Sequence, residues 1–529
     1  MAPAGPGPRR TTAAARGAWA LSWPRAALLS LSDKAGVEAF ARALEARGTR
    51  LLASAGTAAH LERAGIAVTR LEAWTGFDEL LGGRVKTLHP HVHAPVLARR
   101  GEPADMRELS ERGLDPIDLV AVTLYPFEAR AGSLEDKGAV EEIDIGGVAL
   151  LRAAAKNFAD VIVVHEPAQY PEVLGALEAE GPTLEQRREW AVKAFARTAR
   201  YDAAIADHFS TGAGSEEPPA DHVVALERVR PLRYGENPHQ RAALYARAGE
   251  RAALEAWREG KELSYNNLLD LEAAVSLVWR LDGPACVIVK HGQPCGAAAA
   301  KDAAAAYQAA LRSDELSAFG GVVAFNRKLD GETARRMAEQ FVECVAAPEL
   351  SDEAREIFER KKNLRAVRLA AEDVTPSDVW SVRFCGRWAL MQREGQEPPA
   401  WRMVTRRGPT PLEMRSLEFA WQVAAAARSN AVAIAREAML VGLGAGQTSR
   451  VDAVDVALMK ARRAGHEIRG AVMASDGFFP FPDGVEHAAE AGITAVVQPG
   501  GSVRDAEVIA ACDARAIAMA FTDRRTFRH

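Results

Sequence analysis

From Ala26 onward the apolar and polar positions follow two periods in alternation. "AALLSLS" is a short apolar run of the kind a strand buried on both faces requires. "DKAGVEAFARALEARG" follows with apolar residues at helical spacing and closes on Gly48. "TRLLAS" predicts a second strand, "AGTAAHLERAG" a turn and helix ending at Gly65, and "IAVTRLEA" a third strand. The rhythm continues through "IDLVAVTLYPF" and "VIVVHEP" to a long helical stretch, "EQRREWAVKAFARTARYDAAIADHF". Strands alternating with helices at this spacing build βαβ units on a parallel sheet, so the fold class is α/β.

The pattern breaks at Ser210–His222, "STGAGSEEPPADH", where Gly, Ser, Pro and Glu replace the apolar periods. A domain over 26–209, a linker over 210–222 and a second domain over 223–529 are expected. Within the second domain "ACVIVKHG" and "AMLVGLGAG" both read as buried strands running into Gly-containing turns, which hints at two similar halves. The Pro- and charge-rich "QREGQEPPAWRMVTRRGPTPLE" is placed between them, with a split near 390–410. Residues 1–25 are rich in Ala, Pro, Gly and Arg and contain no acid. They read as a disordered extension rather than a transit peptide, because such composition buries too little to offset its ordering entropy.

Composition narrows the function classes. At 529 residues the chain holds about three to four units of typical domain size. The formal net charge of −5 supplies no global basic field, so nucleic acid is not expected as a partner. Cys286, Cys295, Cys344, Cys385 and Cys512 are scattered with no CxxC pair, which argues against a disulfide framework and a metal site and suits a reducing cytoplasm. No apolar run reaches the length of a membrane span.

Open α/β sheets bind ligands at the carboxyl ends of their strands. Three stretches there carry suggestive residues: "SLSDK", "SAGTA" and "GGRVKTLHP". Ser32, Ser54 and Thr57 supply hydroxyls, Gly56 permits close backbone approach, and Lys34, Arg84 and Lys86 add positive charge. Together they describe a phosphate cradle. "LYPF" and "EIDIGGVALLRAAAKN" bring Tyr125, Asp144 and Lys156 toward the same edge. The Asp-Ile-Gly-Gly turn opens a helix whose free N–H groups suit an oxyanion, unless Asp144 simply caps that helix.

In the second domain "PLRYGENPHQ" is a rigid polar loop, "LSYNNLLDLEAA" is polar and then helical, and "DELSAFGGVVAFN" carries the Gly320-Gly321 pair. "CVIVKHGQPCG" delivers Lys290 and His291 at the end of a buried strand. Three chemistries compete there. A Cys295 nucleophile with His291 as base lacks an orienting group on one tight turn. A zinc deaminase site lacks the glutamate and second cysteine of its signature. Acid/base work remains, with His291 taking a proton from a weak amine and Lys290 stabilising an oxyanion. "SDGFFPFPDG" is an aromatic turn suited to stacking on a flat heterocycle.

These motifs, in order from "SLSDKAG" to "RTFRH", resemble the bifunctional purine-biosynthesis enzymes that join AICAR formyltransferase to IMP cyclohydrolase. "RVKTLHP", "LRYGENPHQ", "SAFGG" and the Gly-Ala-Gly-Gln turn before Ser449 and Arg450 carry the resemblance with those above. It implies a methylglyoxal-synthase-like parallel-sheet domain followed by a transformylase domain of two cytidine-deaminase-like units without catalytic zinc. It also implies a homodimer in the cytoplasm, with transformylase sites at the subunit interface. No prosthetic group is implied, and 10-formyltetrahydrofolate is the co-substrate.

The first step would use His291 as proton acceptor on the AICAR amine and Lys290 to stabilise the transition state. Arg233, Tyr234, Gly320, Glu343, Asn430 and Arg450 would hold AICAR. Val451, Phe478, Asp483, Ser502, Val503 and Arg525 would line the folate site. The second step, ring closure of formyl-AICAR to IMP, would use Lys156 as proton acceptor with Tyr125, Asp144 and Lys86 as helpers. Ser32, Asp33, Lys34, Ser54, Gly56, Thr57, Arg84 and Thr87, with Thr123 and Ile145, would hold the nucleotide.

Four positions depart from the pattern. Gln293 and Thr123 each replace Asn. Ala55 replaces a cradle Gly and requires a negative φ. Pro95 replaces Gly and removes a backbone donor. The rivals are a nucleotide-binding regulatory protein without chemistry and, for the first domain, a methylglyoxal-synthase-like lyase.

Overall fold

The computed structural model describes residues 23–130, 134–211, 217–247, 255–256, 261–374, 380–393 and 399–529. The chain divides into two units, Met1–Leu226 with Arg247–Gly249, and Glu227–Ala246 with Glu250–His529.

The first unit is built on five parallel strands: β1 (Ala26–Leu31), β2 (Arg50–Ala53), β3 (Thr69–Arg70), β4 (Leu119–Thr123) and β5 (Ile162–Val164), in the order β3-β2-β1-β4-β5. Central β1 and β4 are almost wholly buried, which is why their sequences are apolar runs rather than alternations. The helix Val37–Glu45 turns Val37, Phe40, Ala41 and Leu44 onto the sheet, and Gly48 then takes φ 83° to reverse the chain. Edge strand β3 is far shorter than "IAVTRLEA" suggested. Thr69 and Arg70 are not buried, and the buried Leu71 already belongs to the helix Leu71–Thr75.

Two expected boundaries move. The helix Leu184–Thr211 passes the Ser210 at which the linker was placed. Residues 23–25, assigned to the extension, are part of the fold: Arg25 Nε donates to Asp118 Oδ2 at 3.1 Å, and Thr49 Oγ1 donates to Pro24 O at 2.7 Å. Residues 1–22 of that extension lie outside the described residues, as do 212–216 of the linker.

The second unit is a twelve-stranded mixed sheet made of one pattern used twice. One half runs Gln293–Ala299, Ala285–Lys290, Val322–Phe325, Cys344–Ala347, Arg365–Arg368, Glu255–Ala256. The other runs Met439–Gly444, Val432–Arg436, Val472–Ser475, Ala495–Gln498, Ala518–Phe521, Arg402–Met403. Successive pairings in each are antiparallel, antiparallel, parallel, parallel and antiparallel. The halves join where Gln293–Ala299 runs antiparallel to Met439–Gly444, with Ala298 opposite Met439. The equivalent of "ACVIVKHG" is therefore Val432–Arg436, and "AMLVGLGAG" corresponds to Gln293–Ala299.

Glycines confirm the repeat. A Cβ on Gly296 would overlap Ala310 O, and one on Gly442 would overlap Ala457 O, so the helices Ala303–Ser313 and Arg450–Arg463 lie directly on strand backbone.

One buried titratable group tests the first unit. His165 follows β5, is 7% exposed, and has no hydrogen-bond partner on either ring nitrogen among the described residues. Burial, and then the charges of Arg200, Arg197 and Lys193, push its pKa down to about 4 from 6.5. A folded pKa below the unfolded one means the native state resists protonation. Stability of this unit is therefore expected to fall between about pH 6.5 and pH 4, by on the order of 3 kcal/mol. Urea midpoints measured across that window should show the slope in the wild type and a much flatter line in His165→Gln.

Candidate active sites

The carboxyl ends of β1, β2 and β4 converge as a parallel sheet requires. Thr57 Oγ1 accepts from Leu31 N at 2.9 Å, and Ser30 Oγ bonds Ser54 Oγ at 3.2 Å, tying the first two strand ends together. Thr123 Oγ1 accepts from Asp33 N at 2.9 Å and donates to Asp33 O at 3.2 Å. The hydroxyl at this departure is thus spent on closing the β1–β4 joint. Lys34 Nζ donates to Ser32 O at 3.4 Å, while Asp33 and Gly56 face solvent. Ala55 opens the helix Ala55–Arg63 and is not among the positive-φ residues, so the lost glycine freedom is not needed. Pro95 is accommodated inside the helix Pro90–Leu97, where it is buried.

Asp144, Tyr125 and Lys86 are brought together. Asp144 Oδ1 accepts from Gly147 N at 2.7 Å, so it does cap the first turn of the helix Gly146–Lys156. It also takes the Tyr125 backbone N–H, and Lys86 acts on it electrostatically. Burial pushes its carboxyl above the ordinary range against those three influences. Tyr201, not singled out from the sequence, fixes the turn: Asp144 N donates to Tyr201 OH at 2.8 Å, and that hydroxyl donates to Glu142 O at 3.1 Å. Thr87 is buried against Gly146, where a Cβ would strike its hydroxyl. Arg84 pairs with Glu141, and Ile145 is exposed.

Lys156 is not part of this cluster. It ends the helix that Asp144 begins, about 18 Å further along its axis at 1.5 Å per residue. Both residues line a cavity of about 590 Å³ that also includes His93, Arg152, Phe195 and Tyr201.

In the second unit Lys290 ends the strand Ala285–Lys290, and its Nζ donates to Phe319 O beside Gly320. His291 has φ 55° and Gly292 φ 70°, and the imidazole is exposed at the turn. Asp270 Oδ1 accepts from Gly292 N at 2.6 Å, and Asn267 Nδ2 donates to Glu343 Oε2 at 3.0 Å. Neither residue was singled out from the sequence. Their signal was two polar residues three apart on a helix, Tyr265–Val278, whose neighbouring positions are apolar.

Cys295 is no nucleophile: burial pushes its thiol up to about 12, and its Sγ faces Ile288 O at 3.5 Å. Gln293 uses its extra reach, with Oε1 accepting from Arg428 N at 3.1 Å.

Arg233 and Tyr234 form their own pair on an exposed loop, with Arg233 Nη2 donating to Tyr234 OH at 3.0 Å. Asn266 Nδ2 donates to Glu236 O at 3.3 Å and ties this loop to the helix that carries Asn267. Arg450 is buried, paired with Asp476, and its Nη2 donates to Asn430 Oδ1 at 2.6 Å. These two residues therefore form one rigid network. Val451 stands next to it, half-buried. Phe478, Asp483, Ser502, Val503 and Arg525 follow the ends of Val472–Ser475, Ala495–Gln498 and Ala518–Phe521. Strand directions bring all of them to the sheet edge that carries His291. They do not reach it: they lie four to six strands away in the sheet order, roughly 20–30 Å at the spacing of neighbouring strands.

Residues 36–149 match the model of an MGS-like domain, and residues 154–460 match that of the AICARFT/IMPCHase bienzyme. A solved structure titled "Crystal structure of ForH" is 39% identical over 36% of this chain and 98% of its own, with a TM-score of 0.33. The bienzyme match spans more than half of the chain, covering the first half of the twelve-stranded sheet with the Lys290-His291 turn and, in the second half, the strands up to Met439–Gly444 and the Asn430–Arg450 network. The chain belongs to the AICARFT/IMPCHase bienzyme family, a transferase joined to a cyclohydrolase that acts in purine biosynthesis.

Proposed function

We propose that the chain carries out two successive steps, formyl transfer from 10-formyltetrahydrofolate to AICAR and dehydrative closure of formyl-AICAR to IMP. The observation that carries the first step is the Lys290-His291 pair on an exposed turn, with the Lys290 ammonium beside Gly320. The AICAR amine is conjugated with its ring and is a poor nucleophile. His291 takes its proton as the C–N bond to the formyl carbon forms, and Lys290 faces the oxyanion. The bond to the folate nitrogen then breaks, and that nitrogen accepts the proton. Glu343 and the Arg233-Tyr234 pair bind AICAR, and the Phe478 turn stacks the folate.

In the second step the carboxamide nitrogen attacks the formyl carbon and water leaves. Asp144, Tyr125 and Lys86 form the polar end of that site, with the Ser32, Ser54 and Thr57 strand ends holding the phosphate. The part of Lys156 as proton acceptor rests on the resemblance alone. No helix among the described residues is long and apolar enough to cross a membrane, and we assign the reaction to the cytoplasm.

The working form is a homodimer. A separation of roughly 20–30 Å between His291 and the folate residues is too wide for direct transfer within one chain. A second copy presenting its Phe478 edge to the first copy's His291 edge closes that gap twice by symmetry.

Incubation with AICAR and 10-formyltetrahydrofolate is expected to yield tetrahydrofolate and IMP. No folate conversion would overturn the transferase reading, and formyl-AICAR accumulating without IMP would overturn the ring closure. His291→Ala should lower formyl transfer by about 10²–10⁴ and leave closure of supplied formyl-AICAR unchanged. Mixing inactive His291→Ala with inactive Arg525→Ala, after unfolding and refolding together, should restore up to about a quarter of wild-type transfer, because mixed dimers hold one intact shared site. A mixture that remains inactive, although it contains mixed dimers, sinks the shared site.

A further inference from the structure

We propose that Asp270 is a positioning residue for formyl transfer: its carboxylate holds the turn that presents the His291 imidazole. The proposal rests on the reading of His291 as the base.

The turn is an unusual one for a histidine. A non-glycine residue at φ 55° is held in the left-handed region, followed by Gly292 in the same region. The Asp270 carboxylate accepts the backbone N–H of Gly292 at 2.6 Å, and the His291 N–H also stabilises its charged form. His291 and Glu343 both act on it electrostatically, His291 favouring its charged form and Glu343 opposing it. When His291 takes the amine proton, the positive charge forms opposite a fixed carboxylate.

Three residues earlier on the same helical face, Asn267 is 3% exposed and donates to Glu343, a residue assigned to AICAR. One face of the helix Tyr265–Val278 thus sets both the base and a ligand of the substrate.

The second half of the sheet separates this role from a requirement of the fold. Its equivalent turn, Arg436-Glu437-Ala438, also places a non-glycine residue in the left-handed region, Glu437 at φ 53°. Its equivalent helix, Pro411–Ala426, also begins with a capping box, Thr410 and Glu413 standing where Ser264 and Asn267 stand. At the position of Asp270 it has Ser416, whose hydroxyl donates to Leu412 O in its own helix. Glu413 is occupied by Arg407 and Thr410. The hairpin therefore forms without a carboxylate beneath it. A partly buried carboxylate is a liability to stability, and it appears under the turn only in the half that carries Lys290 and His291.

The test uses the full chain and steady-state kinetics of both reactions. Asp270→Asn keeps an oxygen for the turn N–H and loses the charge. It should lower kcat for formyl transfer about 10- to 100-fold while KM for AICAR stays within about twofold. Asn267→Ala should do the reverse through Glu343, raising KM about tenfold with kcat nearly kept. Ser416→Ala should change neither. The near-UV circular dichroism and urea midpoint of all three should match the wild type, reporting an intact second unit, and closure of supplied formyl-AICAR should be unchanged.

Wild-type kcat in Asp270→Asn would overturn the proposal. So would kcat and KM failing together with a lowered urea midpoint there, which is the signature of a merely structural residue. Loss of transfer in His291→Ala but not in Asp270→Asn overturns the positioning role alone. Transfer persisting in His291→Ala overturns the base, and the positioning role with it.

Discussion

The second unit depends on the antiparallel joint between Gln293–Ala299 and Met439–Gly444. A two-fold relation between half-sheets needs its central strands to run oppositely and pack tightly on both faces. The small residues at this joint permit that. Gly296 and Gly442 let a helix rest on bare backbone in each half, on the carbonyls of Ala310 and Ala457. Because the joint is antiparallel, the Lys290-His291 turn of one half lies on the same edge as the strand ends of the other half. The candidate site residues share an edge for this topological reason, without being adjacent in sequence.

The same topology also keeps them apart. Four to six strands at the usual lateral spacing separate the His291 turn from the Phe478 and Arg525 ends by roughly 20–30 Å. A single chain presents two separate surfaces, one with His291 and Lys290, the other with the Phe478 turn and Arg525. The halves have diverged accordingly. Asn267, Asp270 and Glu343 are arranged around an exposed turn. The matching positions in the second half are closed by Arg407–Glu413 and by Ser416 bonding its own helix. Further along, Arg450 and Asp476 form a buried ion pair with Asn430 attached. Such a pair is costly to break from one side and so holds its neighbours rigidly.

The first unit works by a simpler rule. Parallel strands end together, and hydroxyls on those ends can bond either a ligand or each other. Thr57 and Thr123 instead accept backbone N–H groups at the end of β1, from Leu31 and Asp33, and this sets the cradle's shape. Asp144 likewise serves two purposes, capping a helix and standing in a partly desolvated position beside Lys86.

The sequence by itself determined the α/β class, the parallel order of the first unit's long strands and the identity of the motif residues. These are local properties: apolar runs, helical spacing and short signatures survive reading one residue at a time. It also hinted at two halves, but paired the wrong strands, because Met439–Gly444 resembles Ala285–Lys290 in composition and only strand direction distinguishes them. The short β3 escaped it because an edge strand has no buried face to impose a period. Tyr201, Asn267 and Asp270 escaped it because a polar residue on a helix has no meaning until the contact opposite it is known. Tertiary structure alone decided that Thr123 closes a joint and that its surroundings raise the Cys295 thiol. Each of these is a matter of distance and solvent between residues far apart in the chain, and sequence order carries neither.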